Sequence, residues 1–315
     1  MVLAVVGVGL LIAAGIVAIL TLRGSGAQQP RRSAAATEPG SSSGPLTATA
    51  ATTASSQALR PSASASPGGR HDPLGAAAAS YVSSRAGVVL AAVYDLRTGQ
   101  TWHLGQGQPQ DEASVVKLDV LETLLAERGR SGTELLASDR TLAEQMIEDS
   151  DNDAATSLWY EVGGASSIRS FNSAAGLADT VPSWCVNCPG FPWPGWGLTT
   201  TIPGDQLALL RVLVEPNSLL TSAERSYALS LMENVTPAQR WGVSGGVPAR
   251  ATVALKNGWL PLNSADNDWQ INSVGWISGS GRDYLMAVLT TGNPTEQYGI
   301  DTIDQLAAMV WNDMA

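Results

Sequence analysis

The chain has 315 residues and a formal net charge of −10, without the basic stripe needed to neutralise nucleic-acid phosphates, so no nucleic-acid partner is expected. Its 18 basic residues include only two lysines, Lys117 and Lys256; the rest are arginines, which keep their proton in a protein. A lysine pKa falls readily on burial, so these two positions mark candidate chemistry rather than surface charge.

Residues 1–22 carry no charged side chain and are long enough to cross a bilayer as a helix, so they read as a transmembrane anchor or an uncleaved signal. Ser25-Gly26-Ala27 also offers small residues for cleavage, which would give a secreted form. Arg23, Arg31 and Arg32 follow the segment and no basic residue precedes it, which taken alone would face the remainder to the cytoplasm. The exported character of the rest outweighs that bias and gives an extracytoplasmic domain held at the cell membrane. Residues 23–72 are rich in Ala, Ser, Thr and Pro and cannot bury enough surface to offset chain entropy, so a disordered tether is expected. Residues 73–315 suffice for one large folded domain.

Within that domain the patterning predicts a helix over 74–85 and a hairpin of strands 88–95 and 100–104 about Leu96-Arg97-Thr98-Gly99. A helix follows over 113–127, apolar nearly all round and therefore buried, ending at Gly129. Further helices are predicted at 141–149, 153–161 and 165–175, then a Trp-, Pro- and Gly-rich loop over 180–200, then helices at 203–214 and 222–232. Strands at 251–256, 268–278 and 283–291 and a helix at 299–313 close the chain. Strands at both ends with helices between them predict an α+β fold: an antiparallel sheet flanked by terminal helices, plus an inserted helical lobe.

The only cysteines, Cys185 and Cys188, lie in the Pro-rich loop. A local disulfide in an oxidising compartment is favoured over a redox or metal role, because the only histidines are His71 and His103. No metal or cofactor is expected.

Three short polar motifs remain. Ser114 and Lys117 are three positions apart at a helix start, sharing a face near free backbone N–H groups. A desolvated amine beside a second cation can be neutral and take a serine proton. Ser150-Asp151-Asn152, between two helices, would alone be a helix N-cap. Lys256-Asn257-Gly258, at the end of an apparent strand, would alone be a turn. In this order the three motifs resemble those of the penicillin-interacting serine enzymes, the class A β-lactamases and penicillin-binding DD-peptidases.

The resemblance covers roughly residues 74–315 and implies an active site between the sheet and the inserted helical lobe, in a serine hydrolase acting on β-lactams or a related cyclic amide, or on peptidoglycan stem peptides. It implies Ser114 as the acylated nucleophile, Lys117 as its proton acceptor, and Ser150 as proton relay to the leaving nitrogen. Asn152 would bind the substrate amide, Lys256 would supply positive charge, and Asn257 would donate to a substrate carboxylate. Backbone N–H groups of Ser114 and Trp259, the latter after Gly258, would form an oxyanion hole. The sequence departs from the family pattern in three ways. No Asp or Glu occurs between Thr180 and Gly204, where class A enzymes carry the deacylating glutamate, so hydrolysis of the acyl-enzyme is expected to be slow. Asn257 stands where Thr or Ser is usual. Ser114 and Ser150 are closer together than usual, implying a trimmed helical lobe. A catalytically weak module that binds cell-wall fragments is a further alternative, opposed by the joint presence of Ser114, Lys117, Ser150, Asn152 and Lys256.

Two other features carry less. Gly242-Val243-Ser244-Gly245-Gly246 matches Gly-x-Ser-x-Gly, but no histidine follows it and it reads as a glycine-rich turn. Trp184, Trp193, Trp196 and Trp259 are expected to pack the loop around the cysteines ahead of stacking on a substrate, Trp159 and Trp276 to be core, and His103 to be structural.

Overall fold

The computed structural model describes residues 71–189, 191–263 and 268–315. The expected anchor and all of the tether except His71 and Asp72 lie outside the described residues. The described residues form an α+β fold. Helix α1 (Ala76–Ser83) precedes the hairpin of β1 (Val88–Asp95) and β2 (Thr101–Leu104), and two-residue β3 (Gln110–Asp111) leads into a 3-10 turn over Ala113–Val116. Helices α2 (Lys117–Ser131), α3 (Ala137–Glu148), α4 (Asn152–Glu161) and α5 (Gly164–Ala175) follow. Beyond the Trp-rich loop come β4 (Thr200–Thr201), α6 (Pro203–Val214), α7 (Ser222–Glu233), β5 (Thr252–Asn263), β6 (Asp268–Gly279), β7 (Arg282–Asn293) and α8 (Glu296–Asp313).

The main sheet has the antiparallel order β2-β1-β7-β6-β5, so strands from both ends of the domain meet where β1 pairs with β7. Both faces are covered. Ala91 and Val93 of β1 pack with Ile303, Leu306 and Val310 of α8, while Ala92 between them faces the helical core of α2 and α6. Leu255 of β5 and Met286 of β7 also face α8, and Ala254 and Ala287 face the helices.

Helix α2 is the axis of the helical lobe: every residue from Lys117 to Ala126 is buried. The expected stop at Gly129 is not used, and α2 runs on to Ser131. Gly129 serves close packing, because a Cβ there would lie 2.6 Å from Glu224 Oε1 of α7. The stop is Gly132, whose φ of +64° suits a left-handed C-cap. The predicted helix at 141–149 starts earlier, at Ala137. Thr221 and Glu224 close a capping box at the start of α7, and Thr295 caps α8.

A larger difference lies in β5. Lys256-Asn257-Gly258 is not at a strand end or in a turn, but inside a twelve-residue strand paired with β6 to Asn263↔Asp268. Pro261 is tolerated because β5 is an edge strand.

Candidate active site

Four segments converge where the sheet edge meets the helical lobe. The 3-10 turn supplies Ser114, and Lys117 begins α2. With three residues per turn, a 3-10 segment sets residues three apart one above the other. Ala113, immediately before Ser114, has a left-handed φ of +51°, and Ser150, between α3 and α4, has φ +58°. Non-glycine residues hold such backbone at a cost of about 1 kcal/mol or more, and only where the surroundings enforce it.

Both lysines are fully buried and both reach Ser150. Lys117 Nζ donates to the Ser150 carbonyl at 2.6 Å, to Ser150 Oγ at 3.1 Å and to Asn152 Oδ1 at 2.7 Å. Lys256 Nζ donates to Ser150 Oγ at 2.9 Å and to the Asn257 carbonyl at 3.0 Å. Burial lowers Lys117 to about 7, opposed by the negative charge of Asp151, and the Trp196 ring lies 5.1 Å from its amine. Lys256 is held well below the ordinary lysine value by burial first and by the neighbouring Lys117 second. Among the described residues, Ser114 Oγ makes no hydrogen bond; it opens into a cavity of about 80 Å³ walled by Asn152, Phe191, Trp193, Trp196, Trp259 and Leu260. Gly258 brings β5 against the turn: a Cβ there would lie 2.8 Å from Ser114 N and 2.6 Å from the Glu112 carbonyl. Only glycine allows that approach.

The N-cap of α4 is Asp151, whose Oδ1 accepts from Ala154 N–H at 2.7 Å, so Ser150 is free of that role and turned to the lysines. Asn257 departs from expectation. It is 1 % exposed, and its amide donates to the carbonyls of Gln239 at 2.7 Å and Trp241 at 3.1 Å rather than toward a substrate carboxylate. Strand alternation is the reason: Lys256 and Gly258 face the helical lobe, and the residue between them faces away.

Cys185 and Cys188 are joined as a disulfide, with the Cys185 carbonyl accepting from Gly195 N–H at 2.7 Å. The two loop tryptophans at the cavity are pinned to α4, Trp193 Nε1 to Asp153 Oδ1 at 3.1 Å and Trp196 Nε1 to Thr156 Oγ1 at 3.2 Å. Trp184 stands apart from them, exposed beside Arg169. Trp159 is core, and Trp276 is only partly buried. Residues 242–246 form a turn that contributes nothing to the cavity lining, and His103 is exposed on β2.

Sequence reasoning missed a group of buried carboxyls beneath the turn. Glu112, Asp119 and Glu122 are all inaccessible to solvent, and burial raises all three, Asp119 to about 7. The signal was present: acidic residues at 119 and 122 lie in a helix that is apolar all round. Among the described residues, no three His, Cys, Asp or Glu side chains are grouped to hold a metal ion.

A model described as the β-lactamase enzyme family matches residues 130–314, which is more than half of the chain. The chain belongs to the β-lactamase enzyme family. The matched stretch contains Ser150, Asn152 and Lys256 to Trp259, and begins after Ser114 and Lys117. LppW of Mycobacterium tuberculosis and Mycobacterium bovis, named as a lipoprotein, is 28 % identical over 204 residues, covering 62 % of this chain and 61 % of LppW. Among solved structures, the TLA-1 extended-spectrum β-lactamase has a TM-score of 0.67 at 17 % identity, covering 74 % of this chain and 95 % of that one. A class A β-lactamase from Bacteroides cellulosilyticus has a TM-score of 0.65 at 16 % identity, with 74 % and 94 % covered. These structures share the fold of the class A enzymes with this member of the family.

Proposed function

We propose that this protein is a serine acyl-transfer hydrolase whose Ser114 takes the acyl group of a β-lactam or related amide and releases it slowly. The observation that carries the reading is the convergence of both buried lysine amines on Ser150 Oγ, beside the cavity onto which Ser114 opens. In its neutral form the Lys117 amine takes the Ser114 proton as Oγ bonds to the substrate carbonyl carbon. The C–N bond then breaks, and the leaving nitrogen takes the Ser150 proton, which the lysines replace. A serine hydroxyl has two lone pairs and one hydrogen; with both lone pairs facing amines, its hydrogen is left for the cleft. The N–H groups of Ser114 and Trp259 would stabilise the oxyanion. Asn152, with Oδ1 on Lys117, keeps its amide N–H for a substrate carbonyl.

The cavity wall supports slow release. None of its residues titrates. The nearby acids have other partners: Asp151 caps α4 and Asp153 accepts from Trp193. Water therefore meets the ester without a dedicated base. Incubation with penicillin should give a lasting mass adduct on the parent chain and none on Ser114→Ala. No adduct with several β-lactam classes would refute the reading. The same lack of a base favours a second reading, a DD-peptidase-like enzyme on peptidoglycan stem peptides, scored by D-alanine release from a stem-peptide mimic.

The apolar segment over 1–22 and the lipoprotein name of LppW support an extracytoplasmic domain at the cell envelope. Among the described residues, no helix is long and apolar enough to cross a membrane. Cleavage of the C-terminal domain by protease added to intact cells is the expected result; complete protection would overturn the assignment.

A further inference from the structure

The strained backbone of Ala113 needs something to hold it, and the residue before it is the anchor. Glu112 is fully buried. Its N–H donates to the Thr199 carbonyl at 2.8 Å, and its own carbonyl accepts from Val115 N–H at 3.2 Å and Asn272 Nδ2 at 3.1 Å. Its carboxyl hydrogen-bonds that of Asp119 in the first turn of α2, and Oε1 accepts from Gln206 Nε2 at 3.3 Å. Two carboxyls can hydrogen-bond each other only with a proton between them.

Asp205 approaches from α6 and its charge raises both carboxyls, and Glu122 follows on α2. Asn172 of α5, once its amide is oriented to suit, donates to Asp119 Oδ1, which favours the charge on Asp119 and leaves the shared proton on Glu112. The remaining neighbour, Gln206, is neutral. Among the described residues no Lys or Arg faces the pair, and the nearby amine of Lys117 is directed at Ser150 and Asn152 instead.

We infer that Glu112 is a positioning residue: its carboxyl, sharing a proton with Asp119, locks the Ala113–Ser114 turn in its reactive form, and loss of that proton as pH rises releases the nucleophile. This rests on the reading of Ser114 as nucleophile. Burial first, and the charge of Asp119 second, hold Glu112 well above the ordinary carboxylate range. In the singly protonated pair Glu112 donates and Asp119 accepts. When the proton passes to solvent, two buried carboxylates face each other and repel. Acylation therefore climbs with pH as the Lys117 amine loses its proton and falls again when Glu112 loses its own.

The test uses the full chain, Glu112→Gln and Glu112→Ala, with three readouts. In the infrared difference between the parent and Glu112→Gln near neutral pH, a protonated-carboxyl band is expected; its absence overturns the inference. Hydrogen exchange at the Val115 amide, corrected for the intrinsic pH dependence, should speed up in the parent at alkaline pH and stay slow in Glu112→Gln. Equal protection in both chains overturns the positioning role. Glu112→Gln should acylate near the parent rate with its alkaline fall moved up or abolished, while Glu112→Ala loses roughly a hundredfold. Identical alkaline limbs in the parent and Glu112→Gln overturn the inference. If no chain acylates, the Ser114 reading fails, while the infrared and exchange results still decide the role of Glu112 in the turn.

Discussion

Replacing Lys117 by methionine separates the energetic cost of the buried amine from its chemistry. The side chains are similar in length and flexibility, but methionine does not titrate. Burial carries the amine from its ordinary 10.5 to about 7. Between those limits the unfolded chain holds a proton that the folded chain lacks, so stability rises with pH through that window and is flat outside it. At about 1.4 kcal/mol per pH unit, the window amounts to about 5 kcal/mol, of which about 4 kcal/mol falls between pH 7 and pH 10. Urea denaturation of the parent and Lys117→Met chains at those two pH values measures it. The parent should gain on the variant by about 4 kcal/mol on going to the higher pH. Lys256 titrates in both chains, and removing the neighbouring charge moves it toward its ordinary value, which can only widen the gap. Parallel curves would mean an amine that stays charged in the fold, and Lys117 could not then act as a base near neutral pH. The variant should also fail to acylate while remaining folded.

Two other substitutions test the geometry. Gly258→Ala puts a Cβ against the Glu112 carbonyl and the Ser114 and Val115 N–H groups; it should cost about 1–3 kcal/mol and most of the acylation rate, by thermal denaturation and adduct kinetics. A fully active variant would show that β5 can stand off from the turn. Asp151→Ala should cost about 1 kcal/mol through the lost cap of α4. Asp151 also opposes the lowering of Lys117, so its removal should move the rising limb of the acylation pH profile to lower pH; an unmoved limb would deny Lys117 that role.

The sequence alone settled the order and most of the extent of the helices and strands, because period-2 runs such as 88–95 and the apolar cylinder of α2 are local signals. It also singled out Ser114, Lys117, Ser150 and Lys256, since two lysines among eighteen basic residues are visible without a fold. Tertiary structure decided what local pattern could not carry. Pairing with β6 along its whole length drew β5 through the Lys-Asn-Gly motif, where a turn had been an open reading. The alternation of that strand then faced Asn257 away from the cleft. Gly129 was legible as a glycine but not as a packing position, because Glu224, nearly a hundred residues on, makes it one. Asp119 was visible only as an acid within an apolar helix, and nothing local marked Glu112; burial without a facing cation is what raises both carboxyls. Charge state depends on desolvation and on which groups are neighbours in space, and the chain acquires both only when it folds.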